Sequence, residues 1–373
     1  MKKGFLRLLG LLMLIPLFAA CDVHEFPYDE PDEPVLPTEA KVEVEVDVNF
    51  DLTSMPWLTT VLYNMQEEES RANADLYDIR YQVFIYGKSK SRVASRTPIG
   101  FFTFTFADIE TLSRTLEIKL EPGEYDIRVW VDFVDKGTNV DKYYDTSDLT
   151  SITLKLDNNG YVPGNTHYRN AFLGNTTIEV PKEALALQAE NRAGYRIVAY
   201  CEMDRPLARF EFITTDLNKF LGDYALRDWR TRHSHELSRE EMEVREAPIE
   251  ALENYRIRVR YTGYMPSIFN FYTNRPVDSF TGMSFIGKIT PQTEKEALLG
   301  FDYVFVNGAE ASIDVALDLF DLEGNRIAST DPIHVPLQRN HYTVIKGAFL
   351  SAQASGGVGI DPGFDGEYNI FFQ

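Results

Sequence analysis

Val42, Val44, Val46, Val48 and Phe50 alternate with Glu43, Glu45, Asp47 and Asn49 in KVEVEVDVNFD, residues 41–51. A period of two is the pleat of a β-strand; on a helix these side chains would scatter and leave no apolar face. One face of this strand must be buried and the other wet. The same signature returns at 77–87, 101–107, 115–120, 125–133, 150–156 and 176–180. It resumes at 195–203, 207–213, 255–261, 268–273, 303–307, 311–321, 334–337 and 342–351. Turn residues punctuate these runs: Pro98, Pro122-Gly123, Lys136-Gly137, Asn158-Asn159-Gly160, and DLEGN at 321–325. Short alternating strands between turn signals predict an all-β chain, a β-sandwich or a barrel. LEIKLEPGEYDIRVWVDF reads as a hairpin turned at Pro122-Gly123, with both arms facing one core.

PKEALALQAENRAG, residues 181–194, interrupts the pattern. It places a domain boundary there, with units over 41–182 and 195–373; the LxPGxYxI pattern at 120–127 resembles immunoglobulin- and transthyretin-like sandwiches, which implies two tandem β-sandwich domains of that kind with short helices. Tyr125-Asp126-Ile127-Arg128-Val129 is echoed by Tyr255-Arg256-Ile257-Arg258-Val259, as expected of comparable central strands in two related units. Thr215 or Asp216 is placed to cap a short helix through Leu221. The charged stretch 222–250 reads as an exposed loop or helical insertion.

Residues 1–20, MKKGFLRLLGLLMLIPLFAA, put Lys2, Lys3 and Arg7 before and within an apolar run that ends in Ala19 and Ala20. This is the pattern of a secretory signal peptide, and it is short of the roughly 20 apolar residues a bilayer span needs. Cys21 follows at once, which resembles a bacterial lipobox, although Phe18 stands where an aliphatic residue is usual. The resemblance implies a lipoprotein acylated at Cys21, held by outer-membrane lipid and facing the cell exterior. A plain signal peptide with an incidental cysteine is the alternative. Residues 21–40 are rich in Pro and acids and too poor in apolar side chains to fold, so they read as an extended tether.

Lys and Arg number 37 against 57 Asp and Glu, for a formal charge of −20. Such a chain repels phosphate backbones, which argues against nucleic acid as a partner. Of the two cysteines, Cys201 has no partner once Cys21 carries lipid, and its strand-like setting, IVAYCEM, predicts a buried structural thiol. His233 and His235 could share a strand face, but no third ligand is in place and a solvated loop is expected. Asp135, Asn139, Asp141, Asp145 and Asp148 supply oxygens without EF-hand spacing. Turn-forming and strand-capping roles are expected of them, with Ca²⁺ binding as the lesser alternative. The sequence holds no GxSxG, P-loop or GxGxxG motif. No catalytic, cofactor or metal residue is assigned, and the chain reads as not an enzyme. Core or hinge packing is the default for Trp57, Trp130 and Trp229, but they could stack on sugar rings, Trp130 if it faces outward from its strand, which makes glycan capture for nutrition the alternative function.

Several stretches carry a family likeness: VWVDFVDKGTNVDKYYDTSDL, DRPLARFEFITTDLNKF, YTGYMPSIFNFYTNRPVDSFTGMSF, GFDYVFVNG, DPIHVPLQRNHYTVIKGAFL and GGVGIDPGFDGEYNI. Together they resemble an uncharacterised family of fimbrillin-like surface lipoproteins of anaerobic Gram-negative bacteria. The resemblance implies two transthyretin-like sandwiches and a role as pilus component, anchor or adhesin, with other pilus subunits and host or glycan ligands as partners. It also implies assembly by strand exchange. A protease removes the first strand, here 41–51, and Arg71 in EEESRANAD is the cut site this sequence offers, with a plain loop arginine as the equal alternative. The C-terminal strand of the next subunit, with Tyr368, Ile370 and Phe372 as donor side chains, fills the groove. The bland reading of EYNIFFQ is the last strand of its own sheet.

Overall fold

The computed structural model describes residues 41–51, 76–88, 97–190, 195–234, 248–308 and 311–351, with the backbone of two short strands at 358–360 and 370–372. The first strands in chain order are β1 (Val42–Phe50), β2 (Tyr77–Gly87), β3 (Gly100–Phe106), β4 (Arg114–Leu120), β5 (Gly123–Asp135), β6 (Tyr144–Asp145), β7 (Ile152–Leu154), β8 (Phe172–Val180) and β9 (Ile197–Asp204). Next come β10 (Leu207–Thr214), β11 (Tyr255–Tyr261), β12 (Tyr264–Asn270), β13 (Arg275–Thr281), β14 (Ser284–Gly287), β15 (Thr290–Pro291) and β16 (Ala297–Phe305). The last are β17 (Ala311–Asp321), β18 (Arg326–Ser329), β19 (Ile333–Leu337), β20 (Tyr342–Gly347), β21 (Val358–Ile360) and β22 (Ile370–Phe372).

A seven-stranded ladder runs β3-β2-β5-β8-β9-β1-β4. Leu120 and Gly123 end and begin β4 and β5, so their Cα atoms are at most about 11 Å apart. In a flat sheet, four strand spacings would separate β4 from β5 by about 19 Å. The ladder therefore folds over itself. It does so where β8 meets β9 through only two residue pairs, Leu173↔Asp204 and Gly174↔Met203. One layer is β3-β2-β5-β8, the other β9-β1-β4, and the inner faces meet as a sandwich, with Phe50 of β1 edge-on to Phe172 of β8 at 4.9 Å. The expected hairpin at Pro122-Gly123 is thus a layer-to-layer crossing: β4 pairs with β1, β5 with β2 and β8. Both arms do face one core. Alternation alone cannot separate these cases, because either geometry buries the same side chains.

Gly174 sits at the fold-over. A Cβ there would lie 2.7 Å from the Cys201 Sγ, the Glu202 carbonyl oxygen and the Met203 sulfur, so only glycine lets the layers close. β9, expected to open the second unit, lies in parallel beside β1 from Val44↔Ile197 to Phe50↔Met203 and completes the first sandwich.

After Arg205-Pro206, a six-stranded sheet, β15-β16-β10-β20-β22-β21, and a five-stranded one, β14-β11-β17-β18 with β19 also on β17, form the second pair of layers. Phe210 of β10 reaches Tyr261 of β11 across the gap at 6.2 Å. The echoed segments fall on equivalent strands: β5 lies between β2 and β8, β11 between β14 and β17. DLEGN turns β17 into β18, with Gly324 at φ +86° and the Asn325 amide donating to Asp321 Oδ1 at 2.7 Å. A four-stranded sheet, β13-β12-β7-β6, takes two strands from before Asp204 and two from after it. Short helices α1 (Ala184–Ala189), α2 (Leu217–Phe220) and α3 (Leu226–Arg232) lie in connections. Asp216 stands at the cap position of α2, but its carboxylate is drawn away to accept from the Ser351 amide at 2.8 Å and the Ser351 hydroxyl at 2.6 Å.

Candidate strand-exchange site

β1 is flanked along its length. Val42 to Val48 pair antiparallel with Leu120 to Arg114 of β4, and Val44 to Phe50 pair in parallel with Ile197 to Met203 of β9. Val42, Val44, Val46, Val48 and Phe50 are all buried, in one row with Leu116, Ile118 and Leu120 on one side and Ala199, Cys201 and Met203 on the other. The opposite face is polar: Thr115 donates to Asp47 at 2.6 Å, and Arg196 pairs with Glu45 at 3.0 Å. Where β9 has not yet begun, the Gln188 side chain of α1 stands in for it. It accepts from the Glu43 amide at 3.0 Å and donates to the Glu43 carbonyl at 2.8 Å. Taking β1 out of this setting would uncover five apolar pockets at every second position and unpair facing backbone groups on β4 and β9.

The C-terminal strand β22 pairs in parallel with β20 at Ile345↔Ile370 and antiparallel with β21 from Val358↔Phe372 to Ile360↔Ile370. It therefore lies in its own sheet, beside a neighbour of three residues. Ile370 and Phe372 are its first and last residues; Tyr368, Cys21, Arg71 and Trp57 lie outside the described residues.

Of the two readings of Trp130, outward stacking surface or core residue, the structure shows the second: it is fully buried, its ring meets Tyr144 edge-on at 5.7 Å, and its indole N–H donates to Asp132 Oδ2 at 3.1 Å. β5 is covered on both faces from Val129 onward, because β6 and the loop before it pack on the outer side of the sheet. Trp130 cannot stack on a sugar. Trp229 is partly buried and stacks on His233 at 5.2 Å, and the His233 Nδ1 lies 2.9 Å from the Trp229 carbonyl oxygen. His235 lies outside the described residues.

The aspartate-rich loop closes on an arginine. Arg80 of β2, fully buried, meets Asp132, reaches Asp141 at 2.8 Å and donates to the Asn139 carbonyl at 2.9 Å. Burial works against the charge, but the two carboxylates hold the Arg80 guanidinium above its ordinary value. Asp141 also accepts from the Thr146 amide at 2.8 Å, Asp145 from the Ser147 amide at 3.0 Å and Asp148 from the Thr150 amide at 2.8 Å, which are turn-capping roles. Among the described residues, no group of three or more His, Cys, Asp or Glu side chains is arranged to hold a metal ion.

Two further polar clusters escaped the sequence reading. Arg169 pairs with Asp302 and donates to the Tyr303 carbonyl, while Tyr261 donates to Asp302 and Tyr144 to the Arg169 carbonyl. Nearby, Arg209 pairs with Glu211 at 2.9 Å beneath the Tyr342 and Phe301 rings, and Tyr342 donates to Glu211 at 2.7 Å. An alternating strand pattern marks Arg169 and Arg209 as loop or wet-face residues; only the pairing of distant segments reveals their partners. An open groove of about 490 Å³ beside β15 is lined by Glu250, Glu253, Arg256 and Lys288 among apolar residues, and holds no histidine, cysteine or aromatic ring.

A family model described as a family of unknown function, DUF6562, matches residues 37–372. The chain belongs to this family. No curated protein matches it. Among solved structures, it is similar to the fimbrial anchor protein Mfa2 from Porphyromonas gingivalis, at 14% identity over 78% of this chain and 82% of that one, with a TM-score of 0.34. It is also similar to a fimbrial assembly protein from Parabacteroides distasonis, at 13% identity over 82% and 91% of the two chains, with a TM-score of 0.36. Likenesses this distant transfer no residue role to the DUF6562 chain.

Proposed function

We propose that this DUF6562 member is a non-enzymatic, fimbrillin-like surface lipoprotein, held in outer-membrane lipid through acylated Cys21, that serves as a pilus component, anchor or adhesin. The observation that carries the reading is the setting of β1: an alternating strand, flanked on both sides, whose apolar row fills a continuous slot. A slot of this shape accepts any extended segment with an apolar side chain at every second position. In the exchange form, cleavage after Arg71 releases β1 and the terminal strand of another subunit enters, led by Tyr368, Ile370 and Phe372. The division into two sandwiches is kept in this reading, with the junction at Arg205-Pro206, after β9.

The experiment is intact-mass and N-terminal analysis of the protein taken from the surface of its native cells. A chain that begins at acylated Cys21 and keeps β1 is an anchor or stand-alone adhesin. A chain that begins just after Arg71 and runs as detergent-resistant ladders is a polymerising subunit. A surface chain that keeps Cys21 without acylation overturns the reading.

A further inference from the structure

The two ladders that hold β1 are offset. β4 covers Val42 to Val48, whereas β9 covers Val44 to Phe50. Successive residues of a strand aim their N–H and C=O groups at opposite neighbours. Glu43 aims at the β9 side, at a level where β9 has not begun. Phe50 aims at the β4 side, beyond the end of β4.

Each of these backbone positions finds a side chain instead. The Gln188 carboxamide of α1 accepts from the Glu43 amide at 3.0 Å and donates to the Glu43 carbonyl at 2.8 Å, the pair of bonds that a further residue of β9 would make. At the diagonal corner, the Phe50 amide donates to Ser113 Oγ at 3.2 Å, one residue before β4 begins. The Ser113 hydroxyl has one proton to give, and it donates that proton to Asn49 Oδ1 at 3.3 Å.

The corners are built differently. Gln188 is carried on a helix of six residues, rooted by buried Ala184 and half-buried Leu185. That helix has no side-chain N-cap and no basic residue in its last turn, so its hold on the core places the carboxamide. Ser113 adjoins Arg114, the first residue of β4, and its position is fixed by the ladder itself.

We propose that β1 lies in a slot closed at both ends by side-chain clamps, Gln188 over Glu43 and Ser113 over Phe50, and that the two clamps read a strand differently. Both Gln188 bonds go to backbone groups that every residue but proline presents, so this end takes a strand of any sequence. Ser113 also addresses an acceptor side chain at position 49, so that end selects. Loss of one clamp frees its own end of β1 and leaves the other in place. What the clamps do to an incoming strand rests on the exchange form of the proposed function; their hold on β1 does not.

The test is hydrogen–deuterium exchange of the full chain in mild detergent, resolved to single amides along β1, for the wild type and for Gln188→Ala, Ser113→Ala and Asn49→Ala. None of the three side chains is buried, so the variants keep the fold. Gln188→Ala should speed exchange of the Glu43 amide about tenfold, as expected of two lost hydrogen bonds, and leave Phe50 as it was. Ser113→Ala should do the reverse, and Asn49→Ala should speed Phe50 alone, by less. Val46, at the centre of both ladders, is the internal reference. A variant that speeds Glu43, Val46 and Phe50 together has weakened the whole fold, and that result overturns the proposal. So does a Glu43 amide that exchanges equally fast with and without the Gln188 carboxamide. A Phe50 amide as protected in Asn49→Ala as in the wild type overturns the selective end. A surface chain never cut after Arg71 ends the exchange form of the proposed function and leaves each of these outcomes as stated.

Discussion

Arg80 and Asp132 face each other at paired positions on β2 and β5, with Nε donating to Oδ1 at 2.8 Å and Nη2 to Oδ2 at 2.7 Å. Both are buried, and together with Asp141, the Asn139 carbonyl and the Trp130 N–H they replace the water each has lost. Replacing Arg80 by Met leaves a buried carboxylate uncompensated. We expect a loss of about 3–5 kcal/mol, read from the urea midpoint. Arg80→Met with Asp132→Leu should recover only part of it: the apolar pair avoids the desolvation that the ion pair must overcome, but the buried Trp130 N–H loses its acceptor and Asp141 its cation.

Stability should also fall on mild acidification through His167. Its ring stacks on Phe301 at 4.6 Å, and its Nδ1 lies 3.2 Å from the Tyr303 hydroxyl. Burial first, then Arg209 and Arg205, hold the imidazole down at about 3. An unfolded histidine takes its proton near 6.5. Between these values the unfolded chain binds a proton that the folded chain refuses. The His167 contribution is therefore complete above 6.5 and drains away as pH falls toward 3. Denaturation midpoints should drop between pH 7 and pH 5, and His167→Phe should make that decline shallower.

Gly174→Ala places a methyl group against the Glu202 carbonyl and two sulfur atoms at the fold-over of the first sandwich. The backbone oxygen cannot rotate aside, so a cost of about 1–3 kcal/mol is expected from overpacking. The same substitution at Gly222, where an added Cβ meets nothing within 4 Å, is the control. Equal thermal midpoints for the two variants would contradict the close approach.

Cys201 should be chemically silent in the native protein. Burial lifts its thiol to about 12, with Glu202 adding to the effect. In a Cys21→Ser chain, maleimide labelling at pH 7.5 should proceed at the rate of unfolding and become immediate in denaturant. Rapid labelling of the folded chain would mean that the β9 face is open.

The strand content was legible because alternation is a local signal: 77–87 coincides with β2, and DLEGN makes the hairpin expected of it. Pairing partners were not. Pro122-Gly123 turns as read, yet joins different layers, since the facing strand is chosen by contacts far away in sequence. Trp130 fits an outward position by period, and only the packing of Tyr144 from another sheet buries it. The slot around β1 was half legible. Its apolar row stands in the sequence, whereas the flanking by β9, about 150 residues on, could not be read from either segment alone.

The four-stranded sheet has a mechanical consequence. Thr153 and Ile152 of β7 are laddered to Ile268 and Phe269 of β12, across the Arg205-Pro206 junction in the chain. Tyr144 and Phe269 both press on Phe305 from that sheet, at 5.4 and 5.1 Å. Bending at the junction would have to slide β12 past β7 and pull two rings off a third. The sheet is a rivet rather than a hinge, so a load entering the first sandwich passes to the second through laddered strands and packed rings as well as through the chain at Arg205-Pro206.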